Sequence, residues 1–426
     1  MTSEALDLQR PPRHRQGDQR DTLKRQTARR RRLIQQREFE VLCAELERDT
    51  AAGRLTVTPE TFERSNELER TALVEHTVTV ADSLRAVAQA APNQVAPERR
   101  LALLSMARDA TPRVALMLSG GGTLGNYHYG VVRSLLGAGL LPKVISGASA
   151  GSMIGAVAAT RDDKALATIL RPHALSASRR RLDGSRLSAK IAEVIPDMTF
   201  AEAAEVSGRR LTISVTSVAD ASALVLNAET TPHVLIRRAV LASCAVPYSF
   251  PPVQLVERPP GEAVRPYRPG FLWADGSLSA DMPAAELKAL YGVGLTVTSL
   301  VNPLILPWIR DPHSENTFYD SVARLSAQAT KFYLGAVADA LAPLTWGQPD
   351  ADFMRRAMSK VATQRYVGDI NILPRQRWHD PRRLLDEADA AQLRAFMDEG
   401  EQSANRRLDM LRACTLLDRT LDLLAP

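Results

Sequence analysis

Val144-Ile145-Ser146-Gly147-Ala148-Ser149-Ala150-Gly151-Ser152 reads as a short apolar strand that runs into a small-residue helix with a serine at the bend. Glycines two before and two after Ser149 relieve crowding in a sharp strand-to-helix turn, and such a turn lifts the hydroxyl above a sheet beside a helix N-terminus. A GxSxG pentapeptide also occurs as a plain tight turn of small residues. The strand before it and the helix after it point instead to Ser149 as a nucleophile, with Gly147 and Gly151 forming its elbow.

Upstream, the apolar run at 114–118 ends in Ser119-Gly120-Gly121-Gly122-Thr123-Leu124-Gly125, and a helical pattern begins near 126. Strand, glycine loop and helix thus recur twice in succession, which predicts a parallel sheet covered by helices. Consecutive glycines expose backbone N–H groups that can hold a developing oxyanion. Gly120, Gly122 and Gly125 also fit GxGxxG, but a dinucleotide site needs an acidic residue about 20 positions on, and no Asp or Glu lies between Gly125 and Gly151. No Lys-Ser/Thr pair follows the glycines, so a phosphate-binding P-loop is excluded too.

A serine nucleophile needs a base. Trp273-Ala274-Asp275-Gly276-Ser277 places a carboxylate after a short apolar run, although an Asp-Gly pair also serves as an ordinary turn. Further strands are predicted at 211–215, 223–226, 271–273 and 295–300, helices at 233–243 and 284–290, and a Pro-rich loop at 250–269. The first quarter predicts one long helix over 22–46, shorter ones over 61–75 and 79–90, and a connector at 91–100. The last part predicts helices over 316–341, 351–363 and 381–423, broken by a short run at 369–373.

With 426 residues, the chain suits one catalytic core with helical appendages. Its net charge of +6 is concentrated early, from Arg10 to Arg37, and includes Arg29-Arg30-Arg31-Arg32. That run suits either anionic lipid headgroups or a solvated basic arm; without interleaved aromatics it does not suggest nucleic acid. Cys43, Cys244 and Cys414 are widely spaced and match neither a disulfide framework nor a zinc site. No stretch approaches the ~18 to 20 apolar residues of a membrane span. The expected location is cytoplasmic, with any lipid surface approached peripherally from water.

In this order the three motifs resemble the patatin-like phospholipase family, and within it the triacylglycerol lipases that carry an N-terminal helical lipase-associated domain. Longer runs carry the likeness: Leu118-Ser119-Gly120-Gly121-Gly122 leading to Tyr127-His128-Tyr129-Gly130-Val131-Val132, then Leu141-Pro142-Lys143-Val144-Ile145-Ser146-Gly147, Ala242-Ser243-Cys244-Ala245-Val246-Pro247, and Asp275-Gly276-Ser277 with Asp281 and Pro283. The chain is much shorter than the eukaryotic lipases, and Tyr248-Ser249 stands where a small residue is expected.

The resemblance implies an α/β, patatin-like three-layer fold with a mostly parallel central sheet and helical additions at both ends. Residues 1–97 would be the lipase-associated region with its basic arm, 111–302 the catalytic domain, and 303–426 a mainly helical extension completing the core. It further implies a Ser-Asp dyad with Ser149 as nucleophile and Asp275 as base, an oxyanion hole of Gly120, Gly121 and Gly122, and no metal or cofactor. His128, Gly276 and Asp281 are candidate supporting residues. The implied substrate is a lipid ester at a membrane or lipid-droplet surface, cleaved by water or passed to a second lipid alcohol. Two other readings stay open: a Ser-Asp-His triad using His313 or His379, both in polar turns, and a lipid-surface binding protein without turnover.

Overall fold

A computed structural model describes residues 13–171, 183–247, 249–303, 305–306, 309, 349–376 and 384–424. These form two compact units: residues up to 112 together with those from 407 onward, and residues 113–406.

The first unit is helical: α1 (Arg13–Gln36), α2 (Phe39–Ala51), α3 (Pro59–Arg64), α4 (Glu67–Gln89), α5 (Pro97–Ala110) and the final helix, Leu408–Leu424. The single helix expected over 22–46 is broken at Arg37, whose φ is 55°. There the Glu38 amide bonds back to the Leu33 carbonyl at 2.9 Å, reversing the chain so that Leu33, Leu42 and Leu46 share one core with Leu84 and Leu417. Conversely, the two helices expected over 61–75 and 79–90 give way to the six-residue α3 and a continuous α4. An Asn66/Glu69 capping box starts α4. The Thr79 hydroxyl donates to the Glu75 carbonyl and Thr77 to the Ala413 carbonyl of the final helix, so Thr77-Val78-Thr79 does not interrupt it.

One of the four arginines of the Arg29–Arg32 cluster is drawn inside this unit and a second is paired at its surface. Arg30 is buried and paired with Asp49, while Arg29 pairs with Glu45; Arg31 and Arg32 remain exposed. Arg30 Nη1 lies 3.4 Å from His76 Nδ1. Because a guanidinium only donates, this ring nitrogen accepts and the imidazole is neutral. Burial, then the Arg30 charge, lowers the His76 pKa to about 4.

The second unit is built on a sheet of β1 (Arg113–Leu118), β2 (Val144–Gly147), β3 (Arg210–Ser217), β4 (Ala223–Asn227), β7 (Trp273–Asp275), β8 (Val293–Ser299) and β9 (Ile370–Ile372), in the order β4-β3-β2-β1-β8-β9. Strands β1, β2, β3, β8 and β9 are parallel, whereas β4 and β7 run antiparallel to β3. All six residues of β1 but the first are buried, as expected of a strand covered on both faces. Its helices are α6 (Tyr127–Gly137), α7 (Ala150–Ala159), α8 (Asp163–Ile169), α9 (Gly184–Val194), α10 (Phe200–Ser207), α11 (Ile236–Ser243), α12 (Ser277–Ala280), α13 (Ala284–Tyr291), α14 (Pro349–Thr363) and α15 (Ala390–Asn405).

The extension expected over 303–426 divides. Strand β9 extends the sheet and α15 packs on α6, where a Cβ at Gly130 would lie 1.8 Å from the Met397 carbonyl oxygen. The final helix packs instead on α4 in the first unit. The strand expected at 271–273 is found two residues later as β7, and Phe271 and Leu272 are exposed. The Pro-rich loop carries a short hairpin, β5 (Val256–Glu257) and β6 (Arg265–Pro266). Tyr248, His313, His379 and the helix expected over 316–341 lie outside the described residues. Among those described, no helix is long and apolar enough to cross a membrane.

Candidate active site

Strand β3 is the template that brings Ser149 and Asp275 together. Its one edge pairs with β4 from Thr212 to Thr216. The other edge first pairs with β2, placing Gly147 opposite Ile213, and then, where β2 ends, with β7, placing Asp275 opposite Val215. Residues 126 positions apart in sequence thus meet at one end of the sheet.

Ser149 sits at φ 50°, ψ −126°, a strained conformation that costs about 1–3 kcal/mol and persists only where its surroundings enforce it. The elbow glycines show what enforces it: a Cβ at Gly147 would lie 2.4 Å from the Gly151 carbonyl oxygen, and one at Gly151 would lie 2.1 Å from that of Leu118. The Ser149 amide donates to the Ser243 hydroxyl at 2.8 Å, and that hydroxyl donates to the Ser214 carbonyl at 2.7 Å. Two residues past Ser243, the Ala245 carbonyl accepts the Asp275 amide at 3.0 Å. The end of α11 therefore ties the elbow, β3 and the aspartate turn together. Sequence reasoning gave Ser243 no role, because a lone serine at a helix end, 94 residues from the elbow, carries no local signal.

Asp275 is buried. Its Oδ1 accepts the Ser277 amide at 2.9 Å and the Ser277 hydroxyl at 2.7 Å, while Oδ2 has no hydrogen-bond partner among the described residues. Burial pushes the carboxyl up from its ordinary value, opposed by Ser277 and by the nearby Ser149 hydroxyl. Gly276 follows where no side chain fits, since a Cβ there would lie 1.9 Å from the Ser214 carbonyl oxygen. Ser149, Asp275 and the loop Gly120-Gly121-Gly122 line one cavity of about 350 Å³. Met153, Leu187, Val194, Phe250 and Leu278 give it apolar walls, and a Lys190–Glu387 ion pair of 3.7 Å lies in its lining.

The three loop glycines are not equivalent. The Gly120 amide donates to Asp281 Oδ1 at 2.7 Å. The other oxygen of Asp281 accepts from Asn302 Nδ2 at 2.9 Å, and its amide donates to Gln364 Oε1 at 2.7 Å. The amides of Gly121 and Gly122 have no acceptor among the described residues. The loop is closed from outside by the Leu384 carbonyl, which accepts the Thr123 amide at 2.8 Å and lies so close to Gly122, at φ 55°, that a Cβ would approach it to 2.1 Å. Burial raises the Asp281 carboxyl to about 7 against the pull of Asn302 and the Gly120 amide.

His128 is fully buried and is not among the cavity-lining residues. One ring nitrogen lies 3.0 Å from the Ser119 carbonyl and the other 2.8 Å from the Ser299 hydroxyl. Since a carbonyl only accepts, Nε2 carries the proton and Ser299 donates to Nδ1. Burial holds its pKa down at about 4. His128 thus ties the end of β1 to the end of β8, behind the glycine loop.

Residues 116–288, from β1 through α13, match the family model for patatin-like phospholipase. The chain is 28% identical to triacylglycerol lipase SDP1L of Arabidopsis thaliana over 383 residues, 82% of this chain and 46% of that protein. It is 32% identical to triacylglycerol lipase ptl3 of Schizosaccharomyces pombe over 319 residues, 68% of this chain and 64% of that protein. It therefore spans less than two thirds of either relative. Among solved structures, VipD from Legionella pneumophila aligns over 70% of this chain and 67% of that one, at 17% identity and a TM-score of 0.37. With the matched segment running from the glycine loop through the serine elbow to the Asp275 turn, the chain belongs to the patatin-like phospholipase family.

Proposed function

We propose that the chain is a serine hydrolase of lipid esters that works through a Ser149–Asp275 dyad. The observation that carries this reading is the shared cavity: a strained serine, a buried carboxylate with one unpartnered oxygen, and two unengaged glycine amides line the same apolar space. Asp275 takes the Ser149 proton as the hydroxyl attacks the ester carbonyl. The carbonyl oxygen gains charge and is held by the Gly121 and Gly122 amides, while Gly120 is held by Asp281 and anchors the loop. Each such donor is worth about 2.7–4 kcal/mol in the transition state. Collapse expels the alcohol, which recovers the proton from Asp275. Water, deprotonated by the same carboxylate, then releases the fatty acid and restores Ser149.

An acylglycerol is the favoured ester, since the relatives are named triacylglycerol lipases and the cavity wall is mainly apolar. A lipid aggregate would be met peripherally, and the three buried, unpaired cysteines suit a reducing cytoplasmic setting. The test is release of p-nitrophenol from a butyrate ester by the full chain, beside Ser149→Ala and Asp275→Asn. We expect losses on the order of 10⁴-fold in each with the circular dichroism spectrum retained. Activity surviving both substitutions would contradict the assignment.

A further inference from the structure

The end of the sheet that carries the cavity also carries an apolar projection. From Asp275, β7 runs back past the end of β2: Trp273 pairs with Ser217, and the Val218 amide donates to the Leu272 carbonyl at 3.1 Å. Gly147 stands level with Ile213, five residues short of Val218 on the same strand. At ~3.3 Å per residue, Phe271 and Leu272 lie roughly 16 Å beyond the serine elbow, on its side of the sheet. Both are large apolar side chains left open to solvent, at 48% and 44% exposure.

Their surroundings hold them out. The Phe271 ring stacks on buried Trp273 with centroids 6.4 Å apart, and Trp273 is fixed by two backbone bonds to Val253, of 2.8 and 3.0 Å. Pro251 and Pro252 connect Val253 to Phe250 in the cavity wall, and both prolines are exposed. Arg268 lies over the Tyr267 ring at 5.3 Å and has no acidic partner among the described residues, unlike Arg265, which pairs with Glu257 and Glu262. A rigid Phe-Leu tip with adjacent proline, aromatic and unpaired arginine fits the boundary between lipid headgroups and acyl chains, where aromatic and basic side chains are favoured together.

We infer that Phe271 and Leu272, with Arg268 beside them, form the face by which this chain docks on a lipid surface with its cavity turned toward the acyl chains. This rests on the lipid-ester reading above, and the experiment separates the two. Full-length protein carrying Ser149→Ala is co-sedimented with vesicles of phosphatidylcholine, alone and with phosphatidylserine, so that binding is read without turnover. Phe271→Ser/Leu272→Ser is introduced into that background and, separately, into the active chain.

Removing two apolar side chains that enter the lipid on docking is expected to weaken vesicle binding at least about tenfold. Hydrolysis of p-nitrophenyl butyrate should stay within about twofold, which also reports that the double variant folds. Arg268→Glu should weaken binding to the phosphatidylserine vesicles more than to phosphatidylcholine alone. Vesicle binding unchanged by the double substitution, or absent in the parent protein, overturns the docking face even if esterase activity is found. A parent dimer that the double substitution dissolves assigns the patch to a second copy and also overturns it. Binding that depends on Phe271 and Leu272 in a chain without esterase activity supports the face and sinks the dyad instead.

Discussion

The buried aspartates of the helical unit and those of the sheet unit are satisfied in opposite ways. In the helical unit Arg30 is buried against Asp49, which also pairs with Arg54 at 2.7 Å, and Arg108 pairs with Asp418 at 2.7 Å. In the sheet unit two buried carboxylates, Asp275 and Asp281, receive only neutral donors: Ser277 for the first, Gly120 and Asn302 for the second. Paired charges fix how helices pack. Carboxylates left without a counter-charge cost stability, and such costs cluster where a site needs a base or a preset dipole.

The largest effect that separates the two regions should come from Arg30→Ala, which strips Asp49 of its buried partner. We expect about 3 kcal/mol of lost stability in denaturant unfolding. The turnover number of the folded protein on a soluble ester should stay unchanged. A matching fall in turnover would break the contrast. Gly276→Ala should do the reverse. Its Cβ would push against the Ser214 carbonyl, displacing Asp275 enough to lower turnover by roughly 10²-fold while the helical unit melts as before. Wild-type turnover in this variant would show that the contact is slack.

Asp281→Asn should act more weakly. The amide oxygen can still accept from Gly120, but its NH₂ would then face the Asn302 NH₂. We expect about a tenfold loss in kcat with KM little changed, read by steady-state kinetics; a change confined to KM would argue against a role in positioning the glycine loop.

The same residue blunts the pH dependence of stability. His76 and His128 are held down at about 4 from 6.5, so their contributions are complete above about 6.5 and are lost as pH falls toward 4. Asp281 is raised from 3.8 to about 7, so its contribution is full below 3.8 and is lost as pH rises through 7. It therefore offsets part of the histidine loss on acidification. Tm measured from pH 7 to 4 should fall more steeply in Asp281→Asn than in the parent; parallel curves would contradict this.

The backbone frame of the candidate site was largely legible because its signals are local. A serine between glycines, a run of three glycines and an Asp-Gly pair each record a backbone contact that excludes side chains, and the clashes met by a Cβ at Gly147, Gly151 and Gly276 are their physical origin. What escaped was non-local. Ser243, Asn302, Gln364 and the Leu384 carbonyl act through bonds spanning many residues, and nothing in their immediate sequence marks them. Helix breaks were misread in both directions: Arg37 breaks a strongly helical pattern by taking φ 55°, whereas Thr77-Val78-Thr79, a poor helix former, is carried by hydroxyl bonds to carbonyls. That part of the basic run is spent on ion pairs within the helical unit was not legible, because pairing with Glu45 and Asp49 appears only once α1 and α2 fold against each other.

The central claim is that Asp275 activates Ser149 for attack on an ester, and covalent capture tests it most directly. The parent chain, Asp275→Asn and Ser149→Ala are treated with a fluorinated alkyl phosphonate, and the adduct is mapped by peptide mass spectrometry. A single adduct on Ser149 in the parent, slowed at least about 10²-fold in Asp275→Asn and absent in Ser149→Ala, is the predicted result. Labelling at another residue, or at Ser149 at the same rate without the aspartate, would contradict the dyad.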